Sequence, residues 1–233
     1  MIARRTLPVI AALVLAQAFT AAAPADAGVR QMHAPAPSPV PAAADLDAQR
    51  SKRLYLDIIH RLRDDGKSHA ALAYLDDFDK RYPGDAQAQL LRADCLLAVG
   101  RPAQAAALYN ALADGDYRAD AQAGLGNVAA QSGNWAAAVN AYRAAVAADP
   151  VRAALRNDLG YALLKYGQRD DALFVLRQAR ELAPGDARIR NNLLLALEAT
   201  GHGDEAAQVV AAIGDDGERA AATQLLASWG AGR

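Results

Sequence analysis

Small and apolar residues recur along most of the chain at the three- and four-residue spacing of an α-helix. Residues 118–131 are rich in alanine and contain no proline, and residues 135–148 place three apolar side chains on one helix face. Those side chains are Val139, Tyr142 and Val146. Gly133 separates the two stretches and Pro150 follows the second. Glycine closes a helix at low energetic cost and proline cannot continue one, so both residues mark helix ends. The pattern therefore predicts two α-helices joined by a short turn.

This pair of helices belongs to a longer periodic pattern. Glycine recurs at spacings of 34, 33, 34 and 34 residues, and an alanine follows each glycine by five residues. The glycines are Gly66, Gly100, Gly133, Gly167 and Gly201, and the alanines are Ala71, Ala105, Ala138, Ala172 and Ala206. A third column holds larger side chains, namely Leu75, Tyr109, Tyr142, Leu176 and Val210. We expect the alanines to lie where the two helices of each unit cross, since a methyl group permits close approach and a larger side chain does not. A fixed period of this length is typical of stacked helical repeats.

The unit resembles the tetratricopeptide repeat family, in which Leu-Gly marks the first helix, Ala and a large residue mark the second, and Pro closes the unit. Two units carry all of these positions: Leu125, Gly126, Ala138, Tyr142 and Pro150, and then Leu159, Gly160, Ala172, Leu176 and Pro184. The resemblance implies an all-α, right-handed α-solenoid of about five helix hairpins with a C-terminal capping helix. It also implies a concave groove, lined by the first helix of each hairpin, in which members of this family bind partner proteins.

The chain divides into four predicted parts. Residues 1–27 have the charged start, apolar run and small-residue site of a secretory signal peptide, which is either cleaved after Ala27 or retained as an anchor. Residues 28–50 are predicted to be a Pro/Ala-rich disordered tether. Residues 51–220 form the repeat solenoid, and residues 221–233 form the capping helix and tail. A helix from about Asp45 is expected to cover the first repeat, and a helical pattern from Glu218 leads into the cap.

Composition and charge narrow the class of protein. The chain has 25 Lys and Arg against 26 Asp and Glu, so its net charge of −1 argues against a nucleic-acid partner and a basic membrane-surface protein. A single cysteine, Cys95, excludes an internal disulfide. No cysteine follows the predicted cleavage site to carry a lipid, so the expected location is the periplasm or the exterior of the cell.

Motifs for catalysis or cofactor binding are weak. Residues 124–129 match the G-x-G-x-x-A pattern of dinucleotide sites, but no strand is predicted before them, so we expect a structural role. The four histidines, His33, His60, His69 and His202, do not have the spacing of metal ligands. No combination of nucleophile, base and orienting group is evident. We therefore predict that the protein is not an enzyme and that it uses no cofactor or metal.

The resemblance places six candidate residues on or near the groove: Asn127, Asn157, Tyr161, Lys165, Arg188 and Asn191. An amide side chain both donates and accepts, so it suits the backbone of an extended segment, while the two cations suit a carboxylate. The N-terminal repeats present Leu56, His60, Arg63, Leu90 and Asp94 instead.

Residues 156–163 and 190–193 are also similar to repeat proteins of bacterial pilus assembly, notably those of the Tad/Flp pilus family. The predicted function is therefore an exported, non-enzymatic scaffold that binds a partner segment in the groove and serves pilus or secretion machinery. The alternative is a structural envelope protein that associates with itself, for example as a homodimer with Trp229 in the contact.

Overall fold

The computed structural model describes residues 43–231. The predicted signal peptide, residues 28–42 of the predicted tether and residues 232–233 of the predicted tail lie outside the described residues. Every regular element of the described part is an α-helix. The helices are α1 (Ala43–Asp64), α2 (Ser68–Arg81), α3 (Ala86–Ala98), α4 (Pro102–Leu112), α5 (Arg118–Gln131), α6 (Trp135–Ala148), α7 (Ala153–Tyr166), α8 (Arg169–Leu182), α9 (Ala187–Ala199), α10 (Gly203–Ala211) and α11 (Asp216–Ala231). The two helices predicted at 118–131 and 135–148 are confirmed residue for residue as α5 and α6.

The first ten helices pair in chain order into five hairpins, and α11 follows the fifth. Each of the first ten helices packs mainly against its neighbours in the chain, whereas α11 packs more closely on α9 than on α10. The first helices of adjacent hairpins also touch, as α1 does with α3, α3 with α5, and α7 with α9. This stacking is that of an all-α solenoid, so the predicted fold class is confirmed.

The same turn closes the first helix of all five hairpins. The five repeat glycines have φ between 73° and 91°, a left-handed conformation that a side chain would strain. In each turn the glycine N–H bonds to the carbonyl three residues earlier, and the next N–H bonds to the carbonyl five residues earlier. This pair of bonds satisfies carbonyls that the helix end leaves open. The glycine column therefore sets where each hairpin turns.

The two helices of a hairpin are in close contact where they cross. All five repeat alanines have no exposed surface. In α5, a Cβ on Gly126 would lie 2.6 Å from the ring of Tyr142, and in α7 a Cβ on Gly160 would lie 2.5 Å from Cγ of Leu176. The glycines of the G-x-G-x-x-A match therefore lie inside a helix and make room for side chains of neighbouring helices, as the structural interpretation predicted.

Both ends of the solenoid differ from the predicted boundaries. The predicted tether ends too late, because residues 43–50 already belong to α1, close to the helix start expected at Asp45. The capping helix begins at Asp216 rather than at 221, since the Asp215 carboxylate accepts the Glu218 N–H at 2.8 Å and so caps the new helix. Trp229 is partly buried and packs against a core cluster that includes Leu195 and Ala199 of α9.

No helix within the described residues is long and apolar enough to cross a lipid bilayer.

Candidate functional site

A groove of about 960 Å³ runs across the first four hairpins. The first helices of these hairpins contribute Arg63, Asp94, Leu97, Ala98, Asn127, Ala130, Gln131, Asp158 and Tyr161. The second helices add Ser68, His69, Tyr109, Trp135 and Tyr142. We call this set the groove. Its length and open shape suit an extended chain better than an enclosed small molecule.

Two buried tyrosines hold polar side chains of the groove in place. The Tyr109 hydroxyl donates to Oδ1 of Asp94 at 2.7 Å, and the Tyr142 hydroxyl donates to Oδ1 of Asn127 at 2.6 Å. Each bond crosses from the second helix of a hairpin to its first helix, so adjacent repeats share one geometry. Burial raises the pKa of both tyrosines, which keeps their hydroxyls protonated as donors.

An ion pair joins α1 to α3 in the N-terminal part of the groove. Arg63 of α1 donates to Oδ2 of Asp94 in α3 at 3.0 Å, on the side opposite the Tyr109 hydroxyl. Burial raises the pKa of Asp94, although Tyr109 and Arg63 both act to lower it. Because each Asp94 oxygen already has a partner, this carboxylate serves mainly to join helices.

Asp158 is the other carboxylate of the groove, and its position is different. Its Oδ1 accepts a bond from Asn157 Nδ2 at 3.2 Å. None of the ion pairs formed by the described residues includes Asp158. Burial raises the pKa of Asp158, and the Asn157 bond and the more distant charge of Arg188 offset this only in part. Asp158 is therefore a partly buried carboxylate without a counter-ion in the described part of the chain.

We expect Asp158→Asn to raise the melting temperature at neutral pH. A carboxyl whose pKa is raised by folding is less stable as a charged group in the folded state, so its ionisation destabilises the fold above the raised pKa. Asparagine keeps an oxygen for the Asn157 bond and carries no charge. The gain over the native chain should shrink as the pH falls through the raised pKa, where Asp158 becomes neutral. Thermal unfolding of both chains across a pH series measures the difference, and a gain that is unchanged at acid pH would contradict the assigned cause.

Two of the six predicted residues, Asn127 and Tyr161, line the groove. Tyr161 is 37% exposed, and its ring meets Trp135 edge-on with centroids 6.0 Å apart. Lys165 is exposed one turn further along α7, and its Nζ lies 5.7 Å from the centre of the Trp135 ring. One face of Trp135 is therefore already near a cation of the protein itself.

The other three predicted residues are not part of the groove lining. Asn157 is only 2% exposed, and its Oδ1 accepts a bond from Asn192 Nδ2 at 2.8 Å, so it joins α7 to α9. The structure therefore places Asn157 inside the solenoid, where its polar atoms bond to Asp158 and Asn192, and not on the groove surface that the sequence predicted. Arg188 is exposed, and Asn191 is partly buried with an Oδ1 that has no hydrogen-bond donor, but neither lies among the lining residues.

Sequence reasoning missed Trp135, Tyr142 and Asp158 as groove residues. The first two lie on second helices, which the family register assigns to the outer layer. Asp158 lies three residues before Tyr161 on α7, and this spacing shares a helix face, so it could have been found.

The remaining reactive side chains have structural surroundings. Cys95 has no exposed surface, and burial raises the pKa of its thiol to about 11, so the unreactive thiol is favoured at neutral pH. His60 pairs with Gln87 at 3.1 Å. Within residues 43–231, no group of three or more His, Cys, Asp or Glu side chains is arranged to hold a metal ion.

Comparison with known proteins gives one consistent family. The tetratricopeptide repeat family matches residues 56–124, 129–191 and 163–228. A TPR repeat-containing protein of Pseudomonas aeruginosa is 34% identical over 181 residues, which cover 77% of this chain and 72% of that protein.

Solved structures agree on the fold. A thermophilic TPR protein of Thermus thermophilus superposes on this chain with a TM-score of 0.62 at 23% sequence identity. The match covers 75% of this chain and 98% of that protein. MamA of Desulfovibrio magneticus RS-1 has a TM-score of 0.55 at 19% identity, with coverage of 76% and 96%. At these identities the likeness concerns the fold alone.

Proposed function

Because this chain belongs to the tetratricopeptide repeat family, we propose that it is a scaffold that binds an extended segment of a partner protein in the groove. The observation that carries the proposal is that the groove contains two kinds of side chain, some bonded within the solenoid and others exposed. Tyr109 and Arg63 bond to Asp94, and Tyr142 bonds to Asn127, in buried or partly buried hydrogen bonds. Polar and aromatic groups of Asn127 and Tyr161 stay open to a ligand.

The open groups suit a polypeptide. Asn127 uses Oδ1 for the Tyr142 bond, which orients its amide and leaves Nδ2 to donate to a backbone carbonyl. Tyr161 offers apolar area with a polar tip, and Trp135 packs against its edge and limits its motion. Side chains that are already ordered lose little conformational freedom on binding, which favours affinity.

We also propose that the scaffold works outside the cytoplasm, in the assembly of a pilus or a secretion machine. Support for export comes from residues 1–27, whose pattern is that of a signal peptide. Support for the machinery comes from the similarity of residues 156–163 and 190–193 to pilus-assembly repeat proteins.

Site-directed photocrosslinking in the cells that make the protein tests these proposals. A photoreactive amino acid replaces Gln131, which is exposed and lines the groove. The matched control places it at Phe174 on α8, which is 63% exposed and lies outside the groove. We expect a defined partner to be crosslinked from Gln131 and not from Phe174. The same proteins captured from both positions would contradict binding in the groove, and a partner from outside pili and secretion machines would remove the narrower role.

Self-association is the second candidate, and exposed apolar side chains on the first hairpin favour it. They are Leu46, Leu54, Ile58 and Tyr74, which are 50%, 62%, 37% and 43% exposed. In this case a photoreactive amino acid at Leu54 is crosslinked to a second copy of the chain, Gln131 captures no other protein, and sedimentation shows an assembly that grows with concentration.

A further inference from the structure

The charge of the groove points to the kind of segment that it binds. Its charged side chains are one arginine, Arg63, and two aspartates, Asp94 and Asp158. Arg63 is already paired with Asp94, which leaves Asp158 as the unbalanced charge. The two cations that the sequence suggested for an acidic partner, Lys165 and Arg188, are outside the lining. Lys165 lies against Trp135 and Arg188 acts on Asp158 from a distance, but neither forms an ion pair with Asp158. The groove is therefore complementary to a positive charge.

The bonding of Asp158 leaves room for a ligand. Asn157 occupies Oδ1, and no described residue donates a hydrogen bond to Oδ2 or forms an ion pair with the carboxylate. Asp158 is also not needed to join helices, because Asn157 and Asn192 form the bond between α7 and α9 at this level. A partly buried carboxylate without a counter-ion weakens a fold, so its presence is better explained by a cation that arrives with the partner.

The residues around Asp158 suit the rest of a long basic side chain. Tyr161 follows three residues later on the same face of α7, and its exposed ring can cover the methylene stem of a lysine or arginine. Asn127 of α5 lines the same groove and offers an amide donor to the backbone beside that side chain. Lys165 already lies over one face of Trp135, whereas no cation of the described residues forms an ion pair with the Asp158 carboxylate.

We propose that the partner segment presents a lysine or arginine to Asp158, with its stem on Tyr161 and its backbone at Asn127. This inference rests on the proposed function, since it names the chemistry of the segment that the groove binds.

Selection from a library of short random peptides displayed on phage tests the inference with the full chain as bait. We expect the selected peptides to be enriched in lysine and arginine relative to the starting library. For the strongest peptide, Asp158→Asn should weaken binding about ten-fold or more. Replacing the basic residue of the peptide by glutamine should weaken binding by a similar factor. The two changes together should weaken binding little more than either change alone, because both remove the same ion pair.

Two further variants separate the possible failures. Asp171→Asn, at an exposed carboxylate on α8 outside the groove, should leave the affinity unchanged. Ala98→Trp places a large side chain at an exposed position of the groove lining and should weaken every groove-bound peptide. The inference would be overturned, and the scaffold function would stand, if the selected peptides lost binding to Ala98→Trp but showed no enrichment in basic residues. The same holds if those peptides bound Asp158→Asn as tightly as the native chain. A selection without any peptide that Ala98→Trp weakens would overturn both.

Discussion

Replacing Gly124 by valine is expected to destabilise the protein by about 3 kcal/mol or more, at or above the upper end of the range for overpacked cores. A Cβ at this position would lie 2.3 Å from a ring carbon of Tyr109. That ring is 1% exposed, and its hydroxyl is held by Asp94, so it cannot swing aside without breaking the bond. The gain in helix propensity over glycine is well under 1 kcal/mol for valine and does not offset the clash.

The measurement is urea unfolding followed by far-ultraviolet circular dichroism. Gly203→Ala is the matched control, because a Cβ there meets only a side-chain oxygen at 3.6 Å, and it should be neutral or slightly stabilising. In the Gly124→Val background, Tyr109→Ala should lower the free energy of unfolding by less than it does in the native chain, because the clash is removed. Tyr109→Phe should not reduce the destabilisation by Gly124→Val, because the ring remains. Independent, additive effects of Gly124→Val and Tyr109→Ala would show that the close approach does not determine stability.

The second large effect is expected at the alanine column, where Ala172→Leu should cost about 3 kcal/mol. Ala172 has no exposed surface and packs in one cluster with Ala162 and Leu163 of α7, which are also buried. A leucine adds three carbon atoms at the point where α7 and α8 cross, so the helices must separate or the side chain must adopt a strained rotamer.

Thermal unfolding of Ala172→Leu beside Ala136→Leu checks this expectation. Ala136 lies on α6, the second helix of its hairpin, but is exposed, so the same change of side chain should have little effect there. Equal melting temperatures for Ala172→Leu and the native chain would mean that the crossing has more room than the repeat register assigns to it.

The close contacts of Gly124 and Gly126 with tyrosine rings show how the fold and the groove depend on each other. Tyr109 fills the space above Gly124 and at the same time orients Asp94 in the groove. Tyr142 does the same with Gly126 and Asn127. Glycines in the first helices therefore permit tyrosines of the second helices to reach through to the concave side.

The hairpins, their turns and the bounds of α5 and α6 followed from the sequence alone. Those features depend on local preferences: glycine at φ near 73° in the turn after α5, proline after the second helix, and alanine at each crossing. The glycine and the alanine recur in all five units and the proline in three of them, so each weak local signal is repeated in register. The terminal boundaries were predicted less well, because α1 and α11 each lack a neighbouring repeat on one side.

Only the tertiary structure decided which side chains of the repeats face the groove. Asn157 and Asp158 are adjacent, yet the first is 2% exposed and bonded to Asn192, while the second lines the groove. One residue turns a side chain by about 100° around a helix, so an error of one position in the register exchanges a buried structural amide for an open carboxylate. Trp135 joins the groove because its ring crosses to Tyr161 of the next hairpin. A contact between hairpins depends on how they stack, and the pattern within one repeat does not contain that information.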